Sequence, residues 1–258
     1  MAILETHNLT RDFGGLRAVN DVSLAFEPGE LCSIIGPNGA GKTTLFRMIT
    51  GLMPATRGTI LFDGQPITNL SPHETARLGI GQSFQITSIF PSLTVLENVR
   101  LAVQTATRVN FNFVVSAARY RELEARARQI LAQVHVDGKE LEVAKNLSYG
   151  EKRGLELGLV LARDPKLILL DEPTAGVAHD EIHHVVALIE QIAREKTVLL
   201  IEHNMDVVLS ISRRIVVMYQ GGVLADGPPG TIKTDPAVQQ AYLGVHEQLR
   251  RGRHAARA

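Results

Sequence analysis

The stretch Gly36-Pro37-Asn38-Gly39-Ala40-Gly41-Lys42-Thr43-Thr44 constrains this chain more than any other. It matches the phosphate-loop pattern of two glycines five apart followed by Lys and a hydroxyl residue. The apolar run Leu31 to Ile35 before it reads as a buried strand, and Leu45 to Ile49 after it as the first turns of a helix. That strand–loop–helix context is what gives the pattern meaning. The glycines let the backbone curl so that successive N–H groups, from Asn38 through Gly41 into Thr44, point at one anion. The helix N-terminus adds partial positive charge at the same place. Lys42 reaches the outer phosphates of a bound triphosphate, and Thr43 offers its hydroxyl to Mg²⁺.

At 258 residues the chain reads as one large domain, or one domain with a lobe. The formal net charge is +0, so no global field draws it to nucleic acid or to anionic lipid. Cys32 is the single cysteine, which excludes a disulfide framework within the chain and suits a reducing compartment; it reads as a small core residue. No apolar stretch approaches the roughly 18 residues of a membrane span, and the N-terminus lacks the basic and apolar regions of a secretory signal. A cytoplasmic protein is expected, touching a membrane only through a partner.

Along the chain, residues 2–9 and 18–26 alternate apolar and polar side chains and read as antiparallel strands joined at Phe13-Gly14-Gly15. Gly58 to Phe62 reads as a strand ending at the Asp63-Gly64 turn. Ser71, Pro72 and Glu74 form a helix start with a capping box. Gly79 to Gln85 reads as a short strand ending in glutamine. From Leu93 to Val134 the spacing becomes helical, with Tyr120, Leu123, Ala127, Ile130, Leu131 and Val134 on one face. Ala106 to Ser116 carries no clear pattern. Beyond Ala144 the alternation resumes: Lys166 to Leu170 and Val198 to Ile201 read as strands buried on both faces. Ile182, Val185, Val186, Ile189 and Ile192 form a helix face. A late hairpin turns at Gly221-Gly222. Strands alternating with helices predict a mostly parallel sheet.

Three further groups sit where chemistry is expected. Asp171 and Glu172 end the strand Leu169-Leu170, beside the phosphate loop in a sheet of this type. Asp171 can hold the Mg²⁺ shell and Glu172 can polarise an attacking water; alone, the same pair reads equally as an acidic cap of the next helix. His203 follows the next strand and can contact a terminal phosphate, or simply start a helix. Gln85 can reach Mg²⁺ or the attacking water. Ser148 and Gly150 open another helix, with Glu151 after them; composition alone reads this as an N-cap.

Taken in order, the phosphate loop, the glutamine strand, Leu147-Ser148-Tyr149-Gly150-Glu151, Leu170-Asp171-Glu172-Pro173 and His203 closely resemble the ATP-binding subunits of ABC transporters. The resemblance runs from Leu4 to about Gly244, and the Leu-Ser-Tyr-Gly-Glu element is the family's own signature. It implies an α/β phosphate-loop cassette over residues 1–244: a mostly parallel core sheet, an antiparallel β subdomain, and an α-helical lobe inserted at about 87–163. A basic tail at 245–258 is expected to be disordered. Phe13 looks like the residue that stacks on adenine, with Val19 against the same ring. The resemblance further implies a head-to-tail pair. Each ATP would lie between one subunit's phosphate loop and the other's Ser148, Gly150 and Glu151, with Lys42, Gln85, Glu172 and His203 performing hydrolysis and Thr43, Gln85 and Asp171 at the metal. The helical lobe and the Gln85 to Pro91 segment would contact permease subunits at the inner face of the membrane. Relatives usually carry Asp or Asn a few residues past Pro173; here that position is Ala178, with Asp180 two residues on.

The segment Val99 to Val143 and the end from Asp235 to Gly244 look like subunits that power branched-chain amino acid import, a pattern shared with urea-type and lipopolysaccharide-type relatives. A soluble ABC-type ATPase acting on nucleic acid would insert long coiled coils or a second cassette, and a phosphate-loop kinase would leave the signature unexplained. A non-hydrolysing binder has no use for Glu172 and His203.

Overall fold

The computed structural model of the protein describes residues 1–83, 89–107 and 117–242. Along the chain these form β1 (Leu4–Phe13), β2 (Leu16–Phe26), β3 (Leu31–Ile35), α1 (Lys42–Ile49), β4 (Arg57–Phe62), β5 (Gln65–Pro66), α2 (Pro72–Leu78) and β6 (Ile80–Ser83). Then come α3 (Val95–Ala106), α4 (Ala117–Gln133), α5 (Tyr149–Leu161), β7 (Leu167–Asp171), α6 (Ile182–Ala193) and β8 (Thr197–Ile201). The last elements are α7 (Met205–Ile211), β9 (Arg214–Tyr219), β10 (Gly222–Gly227) and α8 (Pro229–Thr234); residues 236–242 are helical. Contacts divide the chain into two units: Met1–Arg77 together with the chain from Thr197 onward, and Leu78–Lys196.

In the first unit, β1 and β2 pair antiparallel across the Gly14-Gly15 turn, and β4 and β5 extend them into a sheet of order β2-β1-β4-β5. Alternation puts Leu4, Leu9, Val22, Phe26, Ile60 and Phe62 inside. β3 pairs parallel with β8 on one side and β9 on the other. β9 turns back into β10 through Gln220 and Gly221 at φ of 48 and 83, the paired left-handed residues that match strand twist in a tight hairpin. Every residue of β3 and β8 is buried, as continuous apolar strands require. A cluster of Ile35, Val208, Ile215, Val217, Ile232 and Val238 fills one face of this sheet. Burying each such side chain contributes roughly 1.5–3 kcal/mol. Cys32 is buried in β3, and burial pushes its thiol well up.

In the second unit, β6 and β7 pair parallel. α3 begins at a capping box in which Thr94 accepts from the Glu97 N–H and Glu97 accepts from the Thr94 N–H. α4 buries Leu123, Ala127, Ile130 and Leu131, with Val134 just beyond it. Tyr120, expected on that face, is 45% exposed and lies beneath the Arg100 guanidinium, 4.9 Å from the ring centroid. On α6 the buried set is Val185, Leu188, Ile189 and Ile192. Leu188 replaces the expected Ile182 and Val186 because the helix is turned so that this three-and-four spacing faces inward. Parallel strands, a separate antiparallel sheet and intervening helices are the arrangement the sequence implies. Gln85, residues 108–116 and the tail at 245–258 lie outside the described residues.

Candidate functional site

The loop after β3 is built by steric necessity. Gly36, Gly39 and Gly41 have φ of 147, 82 and 100. A Cβ at Gly36 would lie 2.1 Å from the Met218 carbonyl oxygen, and one at Gly41 would lie 2.3 Å from the Ala18 carbonyl oxygen. Glycine is therefore required twice, by backbone conformation and by close approach. Gly41 caps α1 in left-handed conformation with no side-chain hydrogen bond, and the first turn holds no acidic residue. The start of α1 is therefore capped by backbone conformation alone, a kind of helix start that suits an anion. The Gly221 N–H donates to the Ala40 carbonyl at 3.2 Å and pins the loop to the β9–β10 turn.

Lys42 is 6% exposed, and its ammonium donates to the Gly36 carbonyl at 2.7 Å and the Pro37 carbonyl at 3.1 Å. A full positive charge is therefore held inside the curl. Thr43 and Thr44, in the first turn of α1, are half-buried, whereas Asn38 and Gly39 are exposed.

His203 lies in the same unit and at the same end of the sheet. β8 runs parallel to β3 with Ile201 opposite Ile34, so Gly36 and His203 both follow the C-terminal ends of neighbouring strands. His203 is exposed. Its N–H donates to the buried Glu202 carboxylate at 3.0 Å, and Asn204 caps α7 through the Asp206 and Val207 N–H groups. Phe13, at the end of β1, is 41% exposed, with the Arg11 guanidinium 4.7 Å from its ring centroid. Val19 is wholly buried, and its side chain lies 3.4 Å from where a Gly41 Cβ would stand, so it supports the loop from beneath.

In the second unit, Asp171 is the last residue of β7 and 4% exposed. Glu172 follows at φ 51, a left-handed conformation that costs a non-glycine residue roughly 1–2 kcal/mol. Strain of this kind collects at functional positions. The turn after it is closed by the Ala175 N–H donating to the Glu172 carbonyl at 3.0 Å. Ser148 caps α5 in a reciprocal box: its hydroxyl accepts from the Glu151 N–H, and Glu151 accepts from the Ser148 N–H at 2.8 Å. Partial burial opposes ionisation of Glu151, yet the Lys139 ammonium at 2.8 Å and the Ser148 bonds hold its carboxyl below the usual range. The Glu181 carboxylate comes within 3.1 Å of where a Gly150 Cβ would stand. A cleft of about 550 Å³ beside Ser148 and Gly150 is lined also by His135, Glu181, His184 and Leu188.

Thr43 in the first unit and Asp171 in the second each carry a hard oxygen donor of the kind Mg²⁺ takes. Among the described residues no group of three or more His, Cys, Asp or Glu side chains could hold a metal alone.

Several participants escape sequence reasoning. Glu202 braces the His203 turn, Gly176 and Glu181 pack against the start of α5, and Tyr242 packs on the cluster that includes Ile35. Burial pushes the Tyr242 phenol up to about 12, opposed by a hydrogen bond from the Gly36 backbone. Only the helical spacing of Val238, Ala241 and Tyr242 hints at this last contact.

A family model described as ABC transporter matches residues 19–175, and one described as branched-chain amino acid ATP-binding cassette transporter matches residues 223–248. The chain is 43% identical over 249 residues to the high-affinity branched-chain amino acid transport ATP-binding protein BraF of Pseudomonas aeruginosa, covering 94% of this chain and 98% of the relative. It is 38% identical to the corresponding protein LivG of Escherichia coli K12, with the same coverage. It is 36% identical over 250 residues to the lipopolysaccharide export system ATP-binding protein LptB of that organism, covering 96% of this chain and 100% of the relative. Among solved structures it resembles the ADP conformation of MJ1267, an ATP-binding cassette of an ABC transporter, with TM-score 0.82, 32% identity, and 95% and 99% of the two chains covered. It also resembles the dimeric post-hydrolysis cassette MJ0796 bound to ADP and Pi, with TM-score 0.73, 26% identity, and 88% and 98% covered.

Proposed function

Because the chain belongs to the ABC transporter ATP-binding family, whose members hydrolyse ATP to power transport, we propose that it drives an importer of branched-chain or related amino acids. The observation that carries this is the Lys42 ammonium buried in a glycine curl at an uncapped helix start. The curl cradles the β- and γ-phosphates through backbone N–H groups, and Phe13 offers an exposed ring for adenine. Thr43, Asp171 and Gln85 would hold Mg²⁺, which would supply positive charge against the phosphates. Glu172 accepts the proton of the attacking water, and His203 contacts the γ-phosphate. In a head-to-tail dimer the partner's Ser148 and Gly150 close on that phosphate, which the dimeric cassette MJ0796 supports by likeness. Permease subunits take up the motion at the inner face of the membrane; among the described residues no helix is long and apolar enough to cross it.

Glu172→Gln in the full chain is expected to retain ATP binding, to lower turnover by on the order of 1000-fold, and to accumulate an ATP-dependent dimer on size-exclusion chromatography. Turnover near the unmodified rate removes Glu172 from the mechanism. The amino-acid assignment is supported by the match over residues 223–248. A lipopolysaccharide-export reading rests on the lower, 36% identity to LptB. ATP-driven leucine uptake by vesicles holding the chain with its permease subunits distinguishes them.

A further inference from the structure

We propose that Tyr149 is a positioning residue that ties the signature helix to the turn carrying Glu172. It rests on the hydrolytic role of Glu172 given above.

Tyr149 is the first residue of α5, directly after Ser148. Its hydroxyl donates to the Ala175 carbonyl at 2.8 Å, 26 residues along the chain. The Ala175 N–H in turn donates to the Glu172 carbonyl at 3.0 Å. Two hydrogen bonds through a single residue therefore connect the start of the signature helix to the glutamate. Glu172 stands at φ 51, a conformation held only where its surroundings over-determine it. The tyrosine clamps the turn that does so.

The contact is built to fit. A Cβ at Gly176 would lie 2.9 Å from the Tyr149 hydroxyl oxygen and 3.0 Å from Cζ, and Gly176 has φ 77. Glycine is needed there both for the turn and for the ring. The Arg153 guanidinium lies over the ring, 5.5 Å from the centroid, with one nitrogen 3.4 Å from the hydroxyl. Arg153 is paired with Glu156 at 2.7 Å, and both are about 5% exposed. Arg153 Nε and Glu156 Oε1 make no hydrogen bond. A buried ion pair left partly unsatisfied is a poor source of stability, whereas it holds an aromatic ring in one orientation well.

In a head-to-tail dimer, Ser148 serves the partner's nucleotide while Glu172 serves the chain's own. Seating of the signature helix is then felt at the carboxylate of the other site. The loop after β7 has no acidic or amide side chain at Ala178, and the tyrosine supplies a link of a different kind.

Tyr149→Phe in the full-length chain keeps the ring against Gly176 and Arg153 and removes the hydroxyl, which donates to the Ala175 carbonyl and accepts from Arg153 at 3.4 Å. The expected result is a fall of about tenfold in kcat, one hydrogen bond's worth, with KM for ATP and the melting temperature unchanged. In the Glu172→Gln background the same substitution lowers the residual rate no further and leaves the ATP-dependent dimer intact, because the tyrosine acts through the glutamate. An unmodified kcat overturns the proposal. So does a tenfold fall that persists on top of Glu172→Gln, or one that appears equally in KM. If Glu172→Gln by itself turns over normally, it is the base assignment that has failed, a separate and recognisable outcome.

Discussion

Two helix starts in this molecule follow the same backbone rule and resolve it in opposite ways. α1 begins at Gly41 with no capping side chain and no acid in its first turn, and it keeps Lys42 buried beside it. α5 begins at Ser148 with both halves of a capping box and with Glu151 balanced by Lys139. Every helix leaves its first N–H groups without intrahelical partners. At α1 no side chain meets that need. At α5 the chain answers part of it internally: the Glu151 N–H is engaged by the Ser148 hydroxyl. α5 is thus shaped by its own side chains, whereas α1 is shaped by glycine backbone alone.

The contrast is broken most severely at glycine. Gly36→Ala drives a Cβ to 2.1 Å from a backbone carbonyl oxygen and is expected to cost about 3–4 kcal/mol, read as a large fall in melting temperature. Gly150→Ala meets only the end of the Glu181 side chain at 3.1 Å and is expected to cost under about 1 kcal/mol, since a flexible side chain moves. Equal losses would mean that the loop is not the rigid partner. Next in size is Lys42→Ala, expected to weaken ATP binding by about 100-fold in titration calorimetry, because charge-assisted bonds to phosphate are lost; unchanged affinity would remove the loop from nucleotide binding. Ser148→Ala is expected to leave ATP affinity alone and to lower stability by about 1 kcal/mol through the lost cap. Acid has the smallest effect. The Glu151 carboxyl is held below its ordinary 4.5 in the folded chain. Its contribution is therefore present above pH 4.5 and is lost as pH falls through the folded value. Acid fraying confined to α5 should appear in hydrogen exchange, and α1, with no acid in its first turn, should not share it.

Much of this was legible because it is contiguous. The phosphate loop, the capping residues at Ser71 and Ser148, the Gly14-Gly15 turn and the continuous apolar strands β3, β7 and β8 each depend on neighbours within a few residues. What stayed hidden falls into two kinds. Arg153 and Glu156 are charged residues three apart on a helix, which in a sequence look like a solvated pair; both are buried. Likewise α6 turned Leu188 inward where Val186 was expected, since the direction a helix faces is set by what packs on it. The second kind is long-range: Tyr149 reaching Ala175, Glu181 meeting Gly150, and Tyr242 packing by Ile35 all join residues that no spacing rule connects.

The linear chain by itself determined the glycine curl and the lysine that follows it, because that element is made of consecutive residues. It also determined the family, through the order of short elements. Only the folded molecule decided which side chain braces which turn, and that Tyr149 reaches Ala175 in the turn after Glu172. Local conformation is governed by sterics and hydrogen bonds within a turn, whereas contacts between distant segments exist only once packing has brought their surfaces together.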